Sequence, residues 1–143
     1  MPSLGAVTSL PFYSQAGASA QRKGLLHIIT ITGIDGLSTG NSTLFTVPTG
    51  YTAIVSSANI RVTAVTGAAT TGHASLINST DTVDIVADTT LTSLTAVGLM
   101  TKLSPAAAAP VVAAGKIISF KVGTAYTVAT VVTLAVDLHV YLV

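Results

Sequence analysis

Apolar and polar side chains alternate along residues 128–143, the last part of the chain. A repeat of two residues is the spacing of a β-strand, in which successive side chains point to opposite faces. The segment is therefore predicted to form one long strand, and its apolar face requires a second layer of protein to cover it. The even positions are Val128, Thr130, Val132, Leu134, Val136, Leu138, Val140 and Leu142, and the odd positions include Thr133, Asp137, His139 and Tyr141.

The same alternation recurs over residues 51–65 and, in a shorter form, over residues 118–122. In the longer segment, one predicted face carries Ile54, Ala58, Ile60, Val62 and Ala64, and the other carries Ser57, Asn59, Arg61 and Thr63. With five further apolar segments, the chain has about eight candidate strands. The further segments are residues 25–31, 44–47, 74–78, 83–87 and 99–103.

Turn-forming residues separate these strands, as in Thr-Gly-Ile-Asp-Gly at residues 32–36 and Asn-Ser-Thr-Asp at residues 78–81. Residues 104–112 contain two prolines, which cannot donate to a sheet ladder, so we expect an extended surface loop there. Residues 89–100 are compatible with a helical turn. Short strands divided by turns, without helical repeats between them, predict an all-β, antiparallel sandwich or barrel.

Charged side chains are scarce for a chain of this length. They make up 8% of the 143 residues, and Glu is absent, whereas a typical soluble domain has about 25% charged residues. A monomer of this mass exposes roughly 6,800 Å², so its six basic and five acidic residues leave about 620 Å² for each charge. We infer that other protein covers much of this surface, and that the chain is a subunit of an assembly.

The same composition disfavours several classes of function. The net charge is +1, and Arg22 and Lys23 are the only adjacent basic residues, so the basic cluster that nucleic-acid binding needs is missing. The absence of Cys excludes disulfides and thiolate metal sites. The most apolar segment, residues 128–143, is interrupted by Asp137 and His139 and is shorter than the ~20 residues of a membrane-spanning helix. We therefore expect neither nucleic acid nor a membrane as a partner.

The first residues of the chain differ from the rest. Residues 1–20 are rich in Ser, Ala and Gly and contain two prolines. We expect residues 1–24 to form an extended arm that orders against a partner, and residues 25–143 to form a single domain. The segment lacks the basic start and apolar centre of a signal peptide, so we expect the protein to stay in the compartment where it is made.

Three segments resemble the jelly-roll capsid cement and decoration proteins of tailed bacteriophages. Residues 44–51 (Leu-Phe-Thr-Val-Pro-Thr-Gly-Tyr) resemble the apolar strand, Val-Pro and Gly of those domains. Residues 113–120 (Ala-Ala-Gly-Lys-Ile-Ile-Ser-Phe) resemble the turn into the strand before their last one. Residues 135–142 (Ala-Val-Asp-Leu-His-Val-Tyr-Leu) are similar to their closing strand, in which an aromatic and an aliphatic residue finish the sheet.

The resemblance implies a jelly-roll β-sandwich that assembles as a homotrimer in the host cytoplasm and binds the lattice of the phage major capsid protein on the outer surface of the virion. Such a protein stabilises the lattice through buried area and requires no cofactor. The alternative is a tail-fibre or baseplate jelly roll that binds host-surface glycans. The predicted loops are dominated by Ala, Thr, Ser and Gly rather than by aromatic and acidic residues, which favours the cement protein.

No catalytic pattern stands out among the polar residues. The Gly-x-Ser-x-Gly motif is absent, and the three histidines lie in different candidate elements. Asp81, Asp84 and Asp88 are close in sequence, but in strand geometry Asp81 points away from the other two, which favours a solvated strand edge over a calcium site. We therefore predict neither enzyme activity nor a bound metal.

The more polar face of the last strand is a better candidate for an interface. Asp137 and His139 are two residues apart on that face, where their side chains can touch or line a trimer axis. Tyr51 and Tyr141 lie at strand ends, where an aromatic ring serves as an anchor. The predicted interface residues are Arg22, Lys23, Tyr51, Arg61, Asp137, His139 and Tyr141.

Overall fold

The computed structural model describes residues 24–70, 72–91, 94–105 and 110–143. These residues form nine β-strands, which include all eight predicted segments. The strands are β1 (Leu26–Asp35), β2 (Gly40–Thr46), β3 (Ala53–Thr66), β4 (His73–Asn78), β5 (Val83–Thr90), β6 (Met100–Leu103), β7 (Val111–Val112), β8 (Ile117–Thr124) and β9 (Val131–Leu142).

The strands pair into two antiparallel sheets. Sheet 1 has the order β1-β9-β3-β6, with β7 also paired to β3, and sheet 2 has the order β2-β8-β4-β5. Apolar side chains from both sheets meet in one core. The predicted all-β, antiparallel sandwich is therefore confirmed. The described part of the chain contains no helix with the length and hydropathy to cross a membrane.

β9 contributes one complete face to the core. Its six even-numbered side chains, from Val132 to Leu142, are each at most 2% exposed. The odd-numbered ones are exposed or half-buried, apart from the small Ala135. This confirms the predicted alternation. The strand begins at Val131 rather than at Val128, because Val128 has a φ of 70°, which an extended strand does not allow.

Two β-bulges interrupt the alternation of β3. Its pairing with β9 shifts after Val55 and again after Val62. Each bulge adds one residue to β3 and exchanges the faces of the side chains that follow it. As a result, Val55 rather than Ile54 lies in the core, and Val65 rather than Ala64 packs against it. A strict repeat of two residues cannot predict this exchange, so the core positions assigned to Ile54 and Ala64 are wrong.

The turn predicted at residues 32–36 is instead largely part of β1. The strand continues to Asp35 through a bulge between Ile31 and Ile34, where Gly33 has a φ of 74°. Glycine adopts this left-handed angle without the steric cost that a side chain brings. The bulge returns Ile34 to the core, so β1 pairs with β9 over most of its length.

Part of the loop predicted over residues 104–112 belongs to sheet 1. Val111 and Val112 form the short strand β7 on the edge of β3. The carbonyl of Pro110 accepts a hydrogen bond from the Val55 N–H at 3.2 Å, which a proline can do although it cannot donate. Residues 106–109 lie outside the described residues.

Two other sequence predictions fall on parts of the chain with little or no description. Of the predicted arm over residues 1–24, only Gly24 is described, and its N–H donates to the carbonyl of Leu142 at 2.6 Å. The predicted interface residues Arg22 and Lys23 lie outside the described residues. The helical turn considered for residues 89–100 does not occur in the described residues of that segment.

Tyr126 is enclosed by glycines at a crowded point of the core. The side chain is 3% exposed, and a Cβ at Gly72 would lie 2.8 Å from its ring. Any larger residue at position 72 would therefore collide with the ring. The Tyr126 hydroxyl is buried without a hydrogen-bond partner among the described residues. Burial raises the pKa of Tyr126 to about 12, because the ionised phenolate would lose its hydration.

Leu138→Ala is expected to lower the free energy of unfolding by about 2–5 kcal/mol, because the side chain is fully buried and its loss leaves a cavity. Val83→Ala is the control, since Val83 is 56% exposed, and its cost should stay below about 1 kcal/mol. Urea unfolding followed by circular dichroism measures both. Equal losses at the two positions would contradict the assignment of Leu138 to the core.

The free energy of unfolding should decrease as the pH rises from 10.0, the ordinary pKa of a tyrosine, towards about 12, the pKa of Tyr126 in the folded chain. In this range the folded chain keeps a proton that the unfolded chain releases, so alkaline pH favours unfolding. Tyr126→Phe should remove this component and cost little at neutral pH, because the hydroxyl has no partner to lose. Tyr141→Phe, at a partly exposed ring, is the control. Chemical unfolding at neutral pH and near pH 11 makes the comparison, and unchanged alkaline sensitivity in Tyr126→Phe would contradict the expectation.

Candidate interface

Sheet 1 has an outer face, turned away from sheet 2, that is exposed along its edges and mostly half-buried at its centre. In β9 this face consists of the odd-numbered residues, because the even-numbered ones point into the core. The pairing register extends it across the other strands of the sheet. The outer face comprises Leu26, Ile28 and Thr30 of β1, Asp137, His139 and Tyr141 of β9, Ile54, Ser57, Asn59 and Arg61 of β3, Met100 and Lys102 of β6, and Val111 of β7.

One row of four apolar side chains crosses the outer face. Tyr141 is paired with Leu26 on one side and with Ile54 on the other, and Ile54 is paired with Val111. Neighbouring strands lie ~4.8 Å apart, so this apolar row spans about 14 Å. Leu26 is 44% exposed, Tyr141 37% and Val111 64%. Covering such a row releases water from apolar surface, which favours association with a partner.

The charges at the centre of the outer face neutralise one another. Asp137 Oδ1 accepts a hydrogen bond from Thr30 Oγ1 at 2.6 Å, and Arg61 Nη2 lies 3.6 Å from the same oxygen. Of the residues that define the face, Lys102 is then the one formal charge without an ion-pair partner. A partner that covers the centre therefore does not have to desolvate an unpaired carboxylate.

Four of the predicted interface residues share this face: Arg61, Asp137, His139 and Tyr141. Asp137 contacts Thr30 and Arg61, whereas the sequence allowed its side chain either to touch His139 or to line a trimer axis with it. Their role in an interface stays a prediction.

Tyr51 lies elsewhere, in the core, where it is 8% exposed. The turn in which its N–H donates to the carbonyl of Pro48 directs the chain inwards at this point. The ring of Tyr51 is therefore covered by this chain and offers little surface to a partner.

Apart from Tyr141, the apolar residues of the outer face are missing from the interface predicted from the sequence. Its signal lies in residues 25–31, which are mostly apolar on both faces of the strand. That pattern is typical of strands that are covered on both sides. In the described structure Ile29 and Ile31 pack against the core, whereas Ile28 is 59% exposed. The described residues therefore leave the outer side of β1 uncovered at Leu26 and Ile28.

The outer face of sheet 2, turned away from sheet 1, is more polar. Lys121 of β8 is paired with Asn41 on one side and with Ser75 on the other. Asp84 of β5 lies opposite Ile77, which is itself buried. Lys121 and Asp84 are exposed, whereas Ser75, Ile77 and Ser119 are buried. The exposed part of this face is therefore charged, whereas the exposed edges of sheet 1 are mostly apolar.

The fold separates the acidic residues that are close in sequence. In the turn between β4 and β5, Asp81 accepts hydrogen bonds from Lys116 Nζ and Asn78 Nδ2, each at 2.8 Å. These bonds, that of Lys116 first, hold the pKa of Asp81 below its ordinary value. Asp88 instead lies 2.9 Å from His73 Nδ1. Among the described residues, no three His, Cys, Asp or Glu side chains lie together as ligands for a metal ion.

Comparison with known proteins gives one informative similarity. The sequence matches no protein-family model and no curated protein. The fold is similar to that of a chain in the solved structure described as "Cyanophage Pam1 capsid asymmetric unit", with a TM-score of 0.56. The two sequences are 12% identical, and the similarity covers 96% of this chain and 94% of that one. At this identity the likeness is one of fold.

A double-mutant cycle between Arg61→Met and Asp137→Asn should give a coupling energy of about 0.2–1 kcal/mol, the range of partly exposed ion pairs. The coupling should shrink at about 1 M salt, because ions screen the pair. The control cycle combines Arg61→Met with Asp84→Asn, on the other sheet, and should show none. Urea unfolding measures both cycles. If the coupling energy between Arg61 and Asp137 is no larger than that between Arg61 and Asp84, the ion pair at the centre of the outer face is contradicted.

Proposed function

We propose that this chain is a virion structural protein of a bacteriophage, a capsid cement or decoration protein. In this proposal three copies form a homotrimer that binds the major capsid protein on the outer surface of the shell. The protein has no catalytic role, and its effect comes from the area that it buries. Thr-rich strands suit this role, because Thr pairs across an interface without the desolvation cost of a charge.

The outer face of sheet 1 is the observation that carries the proposal. An apolar row and a neutralised centre lie side by side on a sandwich whose whole sequence contains only 8% charged residues. In a protein that works alone in water, such a face exposes apolar surface to solvent, whereas the subunit of an assembly buries it in a contact. The similarity in fold to a chain of a cyanophage capsid structure supports the same conclusion.

The strand order supports a jelly roll as the architecture of the sandwich. The two sheets combine strands that are distant in the sequence, β1-β9-β3-β6 in one and β2-β8-β4-β5 in the other. Two four-stranded antiparallel sheets built from eight strands are typical of jelly rolls, and β7 is a two-residue addition to the edge of β3.

A trimer explains how a small domain can reinforce a shell. Each copy contributes one contact with the lattice, and three linked copies bind together far more tightly than one, because the second and third contacts form at high effective concentration. On the outer face of sheet 2, the exposed side chains of Lys121 and Asp84 keep part of that side of the sandwich in contact with water.

The buried positions of the aromatic residues argue against the glycan-binding alternative. Sugar-binding sites stack rings against the ligand. Among the aromatic residues that the structure describes, Tyr51, Phe120 and Tyr126 are at most 8% exposed, and Phe45 packs half-buried against the core. Tyr141 is partly exposed, yet it belongs to the middle of a sheet rather than to a loop.

The test has two arms. Native mass spectrometry of the purified full chain at micromolar concentration should give three copies of the 14.3 kDa polypeptide. Quantitative mass spectrometry of purified virions should give a copy number comparable to that of the major capsid protein. A monomer in the first arm would contradict the trimer, and a copy number typical of a fibre in the second would contradict the cement role.

A further inference from the structure

The first part of β1, residues 26–31, forms an edge of sheet 1 that lacks the features that protect most sheet edges. Natural edge strands are shortened, bulged or charged, because an exposed edge recruits other strands. The other edges fit this rule, since β6 has four residues including Lys102, β5 carries Asp84 and Asp88, and β2 is bulged. β1 has ten residues, and its bulge and its one charged residue, Asp35, both come after Ile31, so residues 26–31 are neither bulged nor charged.

Exposed apolar side chains lie along β1 on the outer face. Leu26 is 44% exposed and Ile28 is 59% exposed. Leu25, just before the strand, is 51% exposed. We call Leu25, Leu26 and Ile28 the β1 flank. An exposed apolar edge of this length is a site where another chain packs.

The opposite edge of the same sheet has a second group of exposed apolar side chains. Met100 of β6 is 58% exposed and Val111 of β7 is 64% exposed. Val97 and Leu99, in the loop that leads into β6, are 60% and 41% exposed. We call Val97, Leu99, Met100 and Val111 the β6/β7 flank.

The two flanks lie on opposite sides of the two central strands. β9 and β3 separate β1 from β6 and β7, so the flanks are about 14 Å apart across the sheet. Much of the surface between them is the neutralised centre around Arg61 and Asp137. A contact that uses one flank therefore leaves the other flank of the same chain exposed.

We propose that the β1 flank of one copy packs against the β6/β7 flank of the next copy. This inference rests on the homotrimer proposed above and names the surfaces that hold it together. A contact between two different patches is head-to-tail, and repeated around a threefold axis it closes into a ring in which every flank is covered.

The partner of each flank is a second copy of this chain, because the two flanks match in polarity and in strand direction. Both flanks are apolar, and Lys102, the one charged residue of β6, is exposed, so its long side chain can keep the ammonium group in water beside the contact. β1 and β6 also run in opposite directions, since three antiparallel pairings separate them in the sheet. A β1 edge beside the β6 edge of the next copy therefore continues the antiparallel arrangement of sheet 1.

The test uses Ile28→Lys on one flank and Val111→Lys on the other, each in the full chain. Both positions are more than half exposed, so a lysine is tolerated in the single chain but not within an apolar contact. Each variant should be monomeric, with the dissociation constant raised by about tenfold or more. Val83→Lys is the matched control, at a position that is 56% exposed on sheet 2, and it should stay trimeric. Circular dichroism checks that all three variants fold.

Mixing the two monomeric variants distinguishes a head-to-tail contact from a symmetric one. Ile28→Lys keeps an intact β6/β7 flank and Val111→Lys keeps an intact β1 flank, so an equimolar mixture should form dimers with one copy of each. Native mass spectrometry separates these from dimers of one kind, because the two variants differ in mass.

Several outcomes would overturn the inference. The contact is contradicted if Ile28→Lys or Val111→Lys remains trimeric, or if Val83→Lys dissociates as well. It is also contradicted if one variant dimerises by itself, or if the mixture of the two stays monomeric. If the flanks are instead covered by residues 1–23 of the same chain or by the major capsid protein, Ile28→Lys should remain trimeric. A wild-type chain that is itself monomeric contradicts the proposed trimer instead, so the two failures are distinguishable.

Discussion

The long antiparallel pairing of β3 with β9 holds the sandwich together. It joins residues 53–66 to residues 131–142, and β1, β6 and β7 all attach to one of these two strands. Because β9 lies between β1 and β3, its six even-numbered side chains are sealed into the core. Sheet 2 covers that apolar layer with side chains such as Leu76, Ile118 and Phe120, each 0% exposed. The bulges of β1 and β3 keep both strands paired to β9 while their alternation changes.

The same pairing determines the outer face. Once the even-numbered residues of β9 enter the core, the odd-numbered ones must line up on the other side with their partners in β1 and β3. This register places Tyr141 between Leu26 and Ile54, and Asp137 between Thr30 and Asn59. The core and the proposed interface are therefore two results of one alternating pattern. The scarcity of charge agrees with the proposed interface, because burying an ion in a contact costs its hydration.

Local patterns predicted much of this structure, and contacts between distant segments account for the rest. A repeat of two residues located eight strands and placed Arg61, Asp137, His139 and Tyr141 away from the core. It failed where a single residue changes the phase, after Val55 and at Gly33, because a bulge depends on the partner strand. The apolar row could not be predicted from the sequence for a similar reason. Its members Leu26, Ile54, Val111 and Tyr141 meet only through pairings between strands that are far apart in the sequence.

The dependence of thermal stability on protein concentration tests most directly whether neighbouring copies complete this fold. A subunit that buries apolar surface against other copies is stabilised by mass action, so its midpoint of thermal unfolding increases with concentration. Scanning calorimetry, together with circular dichroism in long cells, can follow the full chain from the submicromolar to the high micromolar range. We predict a midpoint that rises steadily over this range. A midpoint that stays constant would contradict the proposal that the β1 flank and the β6/β7 flank are covered by further copies of the chain.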